Sequence, residues 1–436
     1  MSSPKILIRN ARILTMDPAI GDLHPGDLLV ADGRIAAVAP RLENAERVEE
    51  IDATGCIAIP GFVDTHRHMW QAVLRGCAPH HTLRDYFDTI LREIGPALTP
   101  EDLYLGNLLS ARAALDAGIT TVQDISNIQD TPAHSDALVQ ALRDSGSRAV
   151  FAYGNSLPRH DAHGSALSPD ARRVRTELLP DDEALVTMAL LTEPGDEAAE
   201  RHNADLARDL GLRTARHTVQ FSAERPVTRL RELGVLLPGT TFIHGTGLAD
   251  GELALIAGSG GTLSIAAAIE MMMGHGYPPF GQASGAKLPV SLSTDVEVTA
   301  AADMFTQMRA AYQAGRYHEL STGDAPTPNP LTVKEVLRHA TLDGATALGL
   351  GDRTGSLTPG KEADLVLLRA DRPGTAPVHD PYSTVVLQMD RADIDTVLIG
   401  GRPVVRHGRS LADSSALVED ARALALRLTA AGTLPD

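Results

Sequence analysis

Between residues 61 and 294 the chain alternates short apolar runs with stretches of helical periodicity, and this alternation limits the fold more than any other feature. The apolar runs are 61–66, 120–125, 148–153, 185–191, 213–219, 240–244, 262–267 and 290–294. Amphipathic segments follow most of them, at 100–117, 131–145, 197–210, 249–257 and 333–348. Runs this short and continuous suit parallel strands covered on both faces. Eight βα units are the tally of a (β/α)8 TIM-type barrel, an α/β fold of ~250 residues before insertions. A doubly wound open sheet is the competing arrangement, and the count of eight favours the barrel.

Strand signals without intervening helices occupy both ends of the chain. They lie at 6–16, 27–39 (with an Asp32-Gly33 turn) and 48–59, and again at 363–369, 385–389 and 396–406. A helical stretch over 415–431 follows. Neither set has enough strands to be stable alone. Together they are expected to form one composite β-sandwich domain, 1–57 with 356–436, around a barrel at 58–355.

Composition narrows the function. Thirty-nine basic and 56 acidic residues leave a net charge of −17, which disfavours nucleic-acid binding. Two cysteines, Cys56 and Cys77, cannot build a disulfide framework or a thiolate zinc site. The start has no signal-peptide-like apolar stretch and no run is long enough to span a membrane, so a cytoplasmic enzyme without membrane partners is expected. Only four lysines occur, Lys5, Lys287, Lys334 and Lys361. None lies between the first two to act as a Schiff-base, phosphate-binding or carbamylated group.

Barrel enzymes carry their chemistry where strands end. The first barrel run ends in Asp64-Thr65-His66-Arg67-His68, the fifth in Arg216-His217, the sixth in His244, and the eighth in Ser293-Thr294-Asp295. Imidazoles and one carboxylate on a single rim can converge on one divalent ion: zinc first, with iron, manganese or cobalt as alternatives. His202, His318, His339, His379 and His407 have no such placement and read as surface residues.

Several motifs resemble the amidohydrolase superfamily, in particular the branch holding atrazine chlorohydrolase, guanine deaminase and cytosine deaminase. They are IPGFVDTHRHMWQAVLRG at 59–76, AGITTVQDIS at 117–126, FIHGTGL at 242–248, MGHG at 273–276, SLSTD at 291–295 and HATLDGATALGLGDRTGSLTPGKEADLVLL at 339–368. The resemblance implies that His66, His68, His217 and Asp295 hold one metal. It also implies that Asp295 takes the proton of the attacking water while His244 orients that water and stabilises the oxyanion. Two-metal relatives bridge their ions with a carbamylated lysine at the end of strand four; here that strand has none, so a mononuclear site is expected. One departure stands out. The family's proton-shuttling glutamate, three residues after the strand-five histidine, is Gln220, which cannot exchange a proton.

Glu270 is the expected replacement, a catalytic residue beside Asp295 and His244, with Glu224 the weaker candidate. Trp70, Gln71, Gln220 and His275 are expected to bind substrate, with Asn127, Tyr153 and Asn155 lining the mouth. The loop 77–96, carrying Tyr86 and Phe87, is long enough for a lid, and Met271, Met272 and Met273 suit an apolar wall. The reading is a metal-dependent amidohydrolase that cleaves a non-peptide C–N bond of a small molecule, an aminated heterocycle or cyclic amide. Displacement of a halide or thiol and a non-catalytic scaffold are the alternatives, and a homo-oligomer is compatible with either.

Overall fold

The eight expected barrel strands are present and lie side by side in chain order: β6 (Phe62–Arg67), β7 (Ile119–Gln129), β8 (Arg148–Asn155), β9 (Val186–Leu191), β10 (Thr214–Thr218), β11 (Thr241–His244), β12 (Thr262–Ile265) and β13 (Val290–Leu292). Every neighbouring pair is parallel. These elements belong to a computed structural model that describes residues 5–43, 48–220, 224–321 and 330–434. A bridge between Arg67 and Asp295 closes the seam between β13 and β6, where His68 N–H donates to Asp295 O at 3.0 Å and Asp295 N–H to His66 O at 2.9 Å. The lumen is filled rather than hollow. Val63, Ile125, Val150, Ala189, Ala215 and Ile243 meet there, stoppered by Ala345, Leu348 and Leu350. Chemistry is therefore confined to the C-terminal rim.

The two chain ends build one nine-stranded sheet: β1 (Ile6–Leu14), β2 (Asp22–Ala31), β3 (Arg34–Ala39), β4 (Glu49–Asp52), β5 (Cys56–Pro60), β14 (Leu365–Arg369), β15 (Ile394–Ile399), β16 (Arg402–Arg406) and β17 (Arg409–Ser410). Its order is β17-β16-β15-β14-β5-β1-β2-β3, with β4 also on β1. The join is β5 against β14, antiparallel from Cys56–Arg369 to Pro60–Leu365. Alternation then sorts side chains to two cores. Ala58, Leu365 and Leu367 share a core with Ile6, Ile8 and Val30, whereas Ile57, Ile59, Val366 and Leu368 pack with Phe62, Ile119 and Phe305 of the barrel.

Three expectations need correction. The division expected between 57 and 58 falls inside β5, all five residues of which pair in the end sheet. The expected strand at 385–389 is a helical turn, Thr384–Gln388, entered from a short helix capped by the Asp380 carboxylate, which accepts from the N–H groups of Tyr382 and Ser383. Its apolar run has no clear period, so helix and strand read alike there. The C-terminal helix Ser415–Ala430 does not join the end sheet. Leu424 and Leu428 pack in the cluster containing Trp70 and Leu103, beside the helix Pro100–Asp116. Among the described residues no helix is long and apolar enough to cross a membrane.

Candidate active site

The ends of four strands, β6, β10, β11 and β13, point their side chains together over the C-terminal mouth of the barrel. Period-two alternation at the end of β6 aims His66 and His68 to one face and Arg67 to the other, where its guanidinium meets Glu297 at 2.6 Å. His66 Nε2 stands 3.2 Å from His68 Nε2 and 3.2 Å from His217 Nε2, and 3.4 Å from Asp295 Oδ1. His68 Nε2 is 3.7 Å from the same oxygen, and His244 Nε2 is 3.9 Å from Asp295 Oδ2. His244 (φ 72°) and Asp295 (φ 62°) both sit in the left-handed backbone region. Each such non-glycine residue costs ~1–3 kcal/mol and persists only where its surroundings over-determine it.

The outward nitrogens explain why the inward ones converge. His68 Nδ1 lies 3.1 Å from Ile125 O and 3.0 Å from Asn127 Oδ1. A carbonyl can only accept, so the proton sits on Nδ1 and the lone pair faces inward at Nε2. His217 Nδ1 donates to Glu193 Oε1 at 2.6 Å, with the same consequence. His244 Nδ1 lies 3.2 Å from Glu270 Oε1, an oxygen that also accepts from Ala266 N–H at 2.9 Å.

Burial drives most of this cluster toward its uncharged form. It takes His68 down to about 3 and His275 to about 4, and holds His66 and His244 well below the ordinary value, with neighbouring imidazoles adding to the effect. Burial also lowers His217, but the charge and hydrogen bond of Glu193, together with Asp295, outweigh it and raise that imidazole. Burial pushes Asp295 up to about 7 against the pull of His217, and lifts Glu270 well above the usual carboxylate range. Neutral imidazoles with inward lone pairs beside a carboxylate are the state a metal ligand requires. His66, His217 and His244 form one group able to hold an ion, and His66, His68 and Asp295 another. This nitrogen and oxygen donor set fits a divalent cation.

A cavity of about 290 Å³ opens onto His68, His217, His244 and Asp295. Leu83, Phe87, Leu91, Leu157, Met273 and Val296 make its walls apolar, and Asn127, Asn155, Glu193 and His275 are among its polar points. The loop expected as a lid supplies Leu83, Tyr86, Phe87 and Leu91, and Leu83 N–H donates to Met273 O at 2.9 Å.

The remaining expected residues separate into those that face this cavity and those behind it. His275 faces it, buried and perpendicular to His244 at 4.5 Å between ring centres, with neither ring nitrogen hydrogen-bonded among the described residues. Glu270 lies behind His244 and does not line the cavity. Trp70 and Gln71 do not line it either. The Trp70 indole is fully buried and donates to Asn127 Oδ1 at 3.2 Å, while Gln71 Nε2 donates to Tyr86 OH at 2.6 Å. They brace residues that do face it.

Gln220 is absent from the lining as well, and its N–H donates to Thr246 O. At Gly247 (φ +76°) a side chain would meet Gln220 O at 2.4 Å, so only glycine permits this approach. Glu224 is exposed, Met273 is on the wall, and Met271 and Met272 face solvent. Glu193 escaped the sequence reading. It stands two residues beyond β9, and periodicity gives no sign that a loop carboxylate turns inward.

Comparison with known proteins gives a consistent picture. A model of the amidohydrolase family matches residues 57–404. The chain is 28% identical over 442 residues to a 5′-deoxyadenosine deaminase of Methanosarcina acetivorans, covering 98% of each. It is 30% identical to a 5-methylthioadenosine/S-adenosylhomocysteine deaminase of Pelotomaculum thermopropionicum, covering 97% of this chain and 98% of that one. The structure of a zinc-bound adenosine deaminase from Xanthomonas campestris superposes with a TM-score of 0.85 at 24% identity, over 98% of this chain and 99% of the other.

Proposed function

The chain belongs to the amidohydrolase family, hydrolases of carbon–nitrogen bonds other than peptide bonds, and on that premise we propose that it is a mononuclear zinc-dependent deaminase of adenosine-like nucleosides altered at the 5′ position. The carrying observation is the convergence of three Nε2 atoms and the Asp295 carboxylate at 3.2–3.7 Å on the floor of an apolar cavity. His66, His68, His217 and Asp295 would hold the ion. When bound, it supplies a Lewis acid that acidifies water and polarises the carbon under attack.

The protein's own groups do the rest. Asp295 takes the proton of the attacking water. Glu270 accepts from Nδ1 of His244, which turns the His244 Nε2 lone pair into the site to fix the line of attack and supports the imidazolium as charge develops. His275, which lines the cavity with neither ring nitrogen hydrogen-bonded among the described residues, engages the heterocycle, and Asn127 and Asn155 offer further hydrogen bonds. The apolar wall accepts the base and excludes water.

Gln220, set outside the cavity, favours a second reading in which a better leaving group such as a halide or thiol departs without protonation of the ring. An assay of the zinc-loaded protein that reads released ammonia and, separately, released chloride or thiol separates the two. Its substrates should be 5′-deoxyadenosine, 5′-methylthioadenosine, adenosine and chloro- or alkylthio-substituted triazines and purines. Ammonia from the 5′-altered nucleosides supports the deaminase. Turnover of the substituted rings alone supports the second reading, and turnover of none overturns both.

A further inference from the structure

The four imidazoles at the strand ends differ in what backs them. His66 Nδ1 has no hydrogen-bond partner among the described residues, His68 Nδ1 faces two neutral oxygens, and His244 Nδ1 reaches Glu270 at 3.2 Å. His217 has the shortest contact of the set, 2.6 Å to Glu193 Oε1. It is also the least enclosed, with its side chain 23% exposed against 0% for His66, 3% for His68 and 4% for His244.

The backbone around His217 is held unevenly. On the β11 side four residues of β10 stay in register, through Thr218. On the β9 side the register ends at Ala215, with a last N–H from Thr192 to Ala215 O at 2.9 Å. Two residues further on, the strands are joined only through side chains, and Glu193 on His217 is that join.

We propose that Glu193 is a positioning residue that fixes the orientation and tautomer of His217, so that Nε2 alone faces the ion, and thereby sets how tightly the ion is held. A carboxylate hydrogen-bonded to the outer nitrogen makes the inner one a stronger donor and removes the freedom of the ring to turn. This rests on the metal site read above. It adds a residue at the end of the fourth barrel strand, and a role that needs no proton exchange by Glu193. A direct role in binding substrate is the rival, because Glu193 also borders the cavity and its side chain is 28% exposed.

The experiment strips the full-length protein of metal and measures zinc affinity by competition with a chromophoric chelator, for wild type, Glu193→Ala and Glu193→Gln. Thermal melting of the stripped proteins reports their folding. Removing an outer hydrogen-bond partner of this type typically costs 10–100-fold in metal affinity. Glu193→Ala should show a loss of about that size. Glu193→Gln, whose amide oxygen still accepts from Nδ1, should recover most of it. With zinc saturating, KM of both variants should stay near wild type.

Should the alanine variant fail to fold, Glu193→Asp, too short to keep the contact, must show the weakened affinity instead. Wild-type affinity in Glu193→Ala overturns the proposal, and a raised KM with unchanged affinity overturns it in favour of substrate binding. Wild-type protein that binds no zinc overturns both this inference and the function above. Wild-type protein that binds zinc but turns over no substrate overturns the function alone and leaves the affinity comparison decisive.

Discussion

Replacing Arg67 with leucine should cost far more than its place between two metal-ligand candidates suggests. Its guanidinium is fully buried: Nη2 meets Glu297 at 2.6 Å, Nε donates to Ser110 Oγ at 2.8 Å and Nη1 to Ala302 O at 3.0 Å, with Asp64 3.6 Å away. Removing one partner of a buried pair costs ~3–5 kcal/mol, because the other charge is left uncompensated. Glu297 would keep Arg75 and Ser110, which places the expected loss near the lower end, ~3 kcal/mol.

The pH dependence follows from the same contacts. Burial alone would raise the Glu297 carboxyl, but Arg67 and Arg75, with the Ser110 hydroxyl, outweigh it and hold it below the ordinary range. Its stabilisation is therefore complete above the unfolded value of ~4.3 and is lost as pH falls through the lowered native value. The deficit of Arg67→Leu should be widest near neutrality and narrow in acid, where the stranded carboxyl becomes protonated. Urea unfolding of metal-free protein across pH measures this. Arg67→Leu/Glu297→Leu should recover most of the loss. A single variant within about 1 kcal/mol of wild type at neutral pH, or a double variant no better than the single, refutes the argument.

Other outcomes follow from the site and its supports. Glu270→Gln should cut kcat by about a hundredfold or more with zinc content unchanged, because an amide cannot support charge on the His244 imidazole; a change confined to KM would mean that Glu270 does not act through His244. Asp295→Asn should abolish turnover more completely than zinc binding, as elemental analysis beside kinetics will show, because an amide still coordinates weakly but cannot accept the proton. Truncation after Asp413 should uncover the partners of Leu424 and Leu428 and remove the contact of Arg427 with Asp102. At ~1.5–3 kcal/mol for each buried leucine the loss should be several kcal/mol in urea unfolding, and a neutral truncation would contradict the packing.

The barrel was legible because each of its strands is a short apolar run bounded by polar segments, and because period-two alternation at Asp64-Thr65-His66-Arg67-His68 separates ligand candidates from their anchor. The composite end sheet was legible from strand number alone, but its order was not. Nothing local marks β5 as the strand that joins the halves, or shows that 415–430 packs against the barrel instead of the sheet. The helical turn at Thr384–Gln388 was missed because apolar residues without a period carry no structural direction. Trp70, Gln71 and Glu270 show a further limit. Sequence adjacency to a motif places a side chain near a site, but whether it enters the cavity or braces a neighbour depends on contacts with distant residues such as Tyr86, Asn127 and His244.

The position of β5 between β1 and β14 has a consequence for how the chain is made. Some 300 residues separate Pro60 from Leu365, its first partner on β14. At ~5–20 residues per second a ribosome needs roughly 15–60 s to supply that partner. Throughout that interval one edge of β5, carrying Ile57, Ala58 and Ile59, remains an open template for other strands. The barrel can close meanwhile, but its sheet companion cannot be completed until the last sixth of the chain emerges. Slow translation or a crowded nascent pool should therefore damage yield through the N-terminal half-sheet rather than through the catalytic rim.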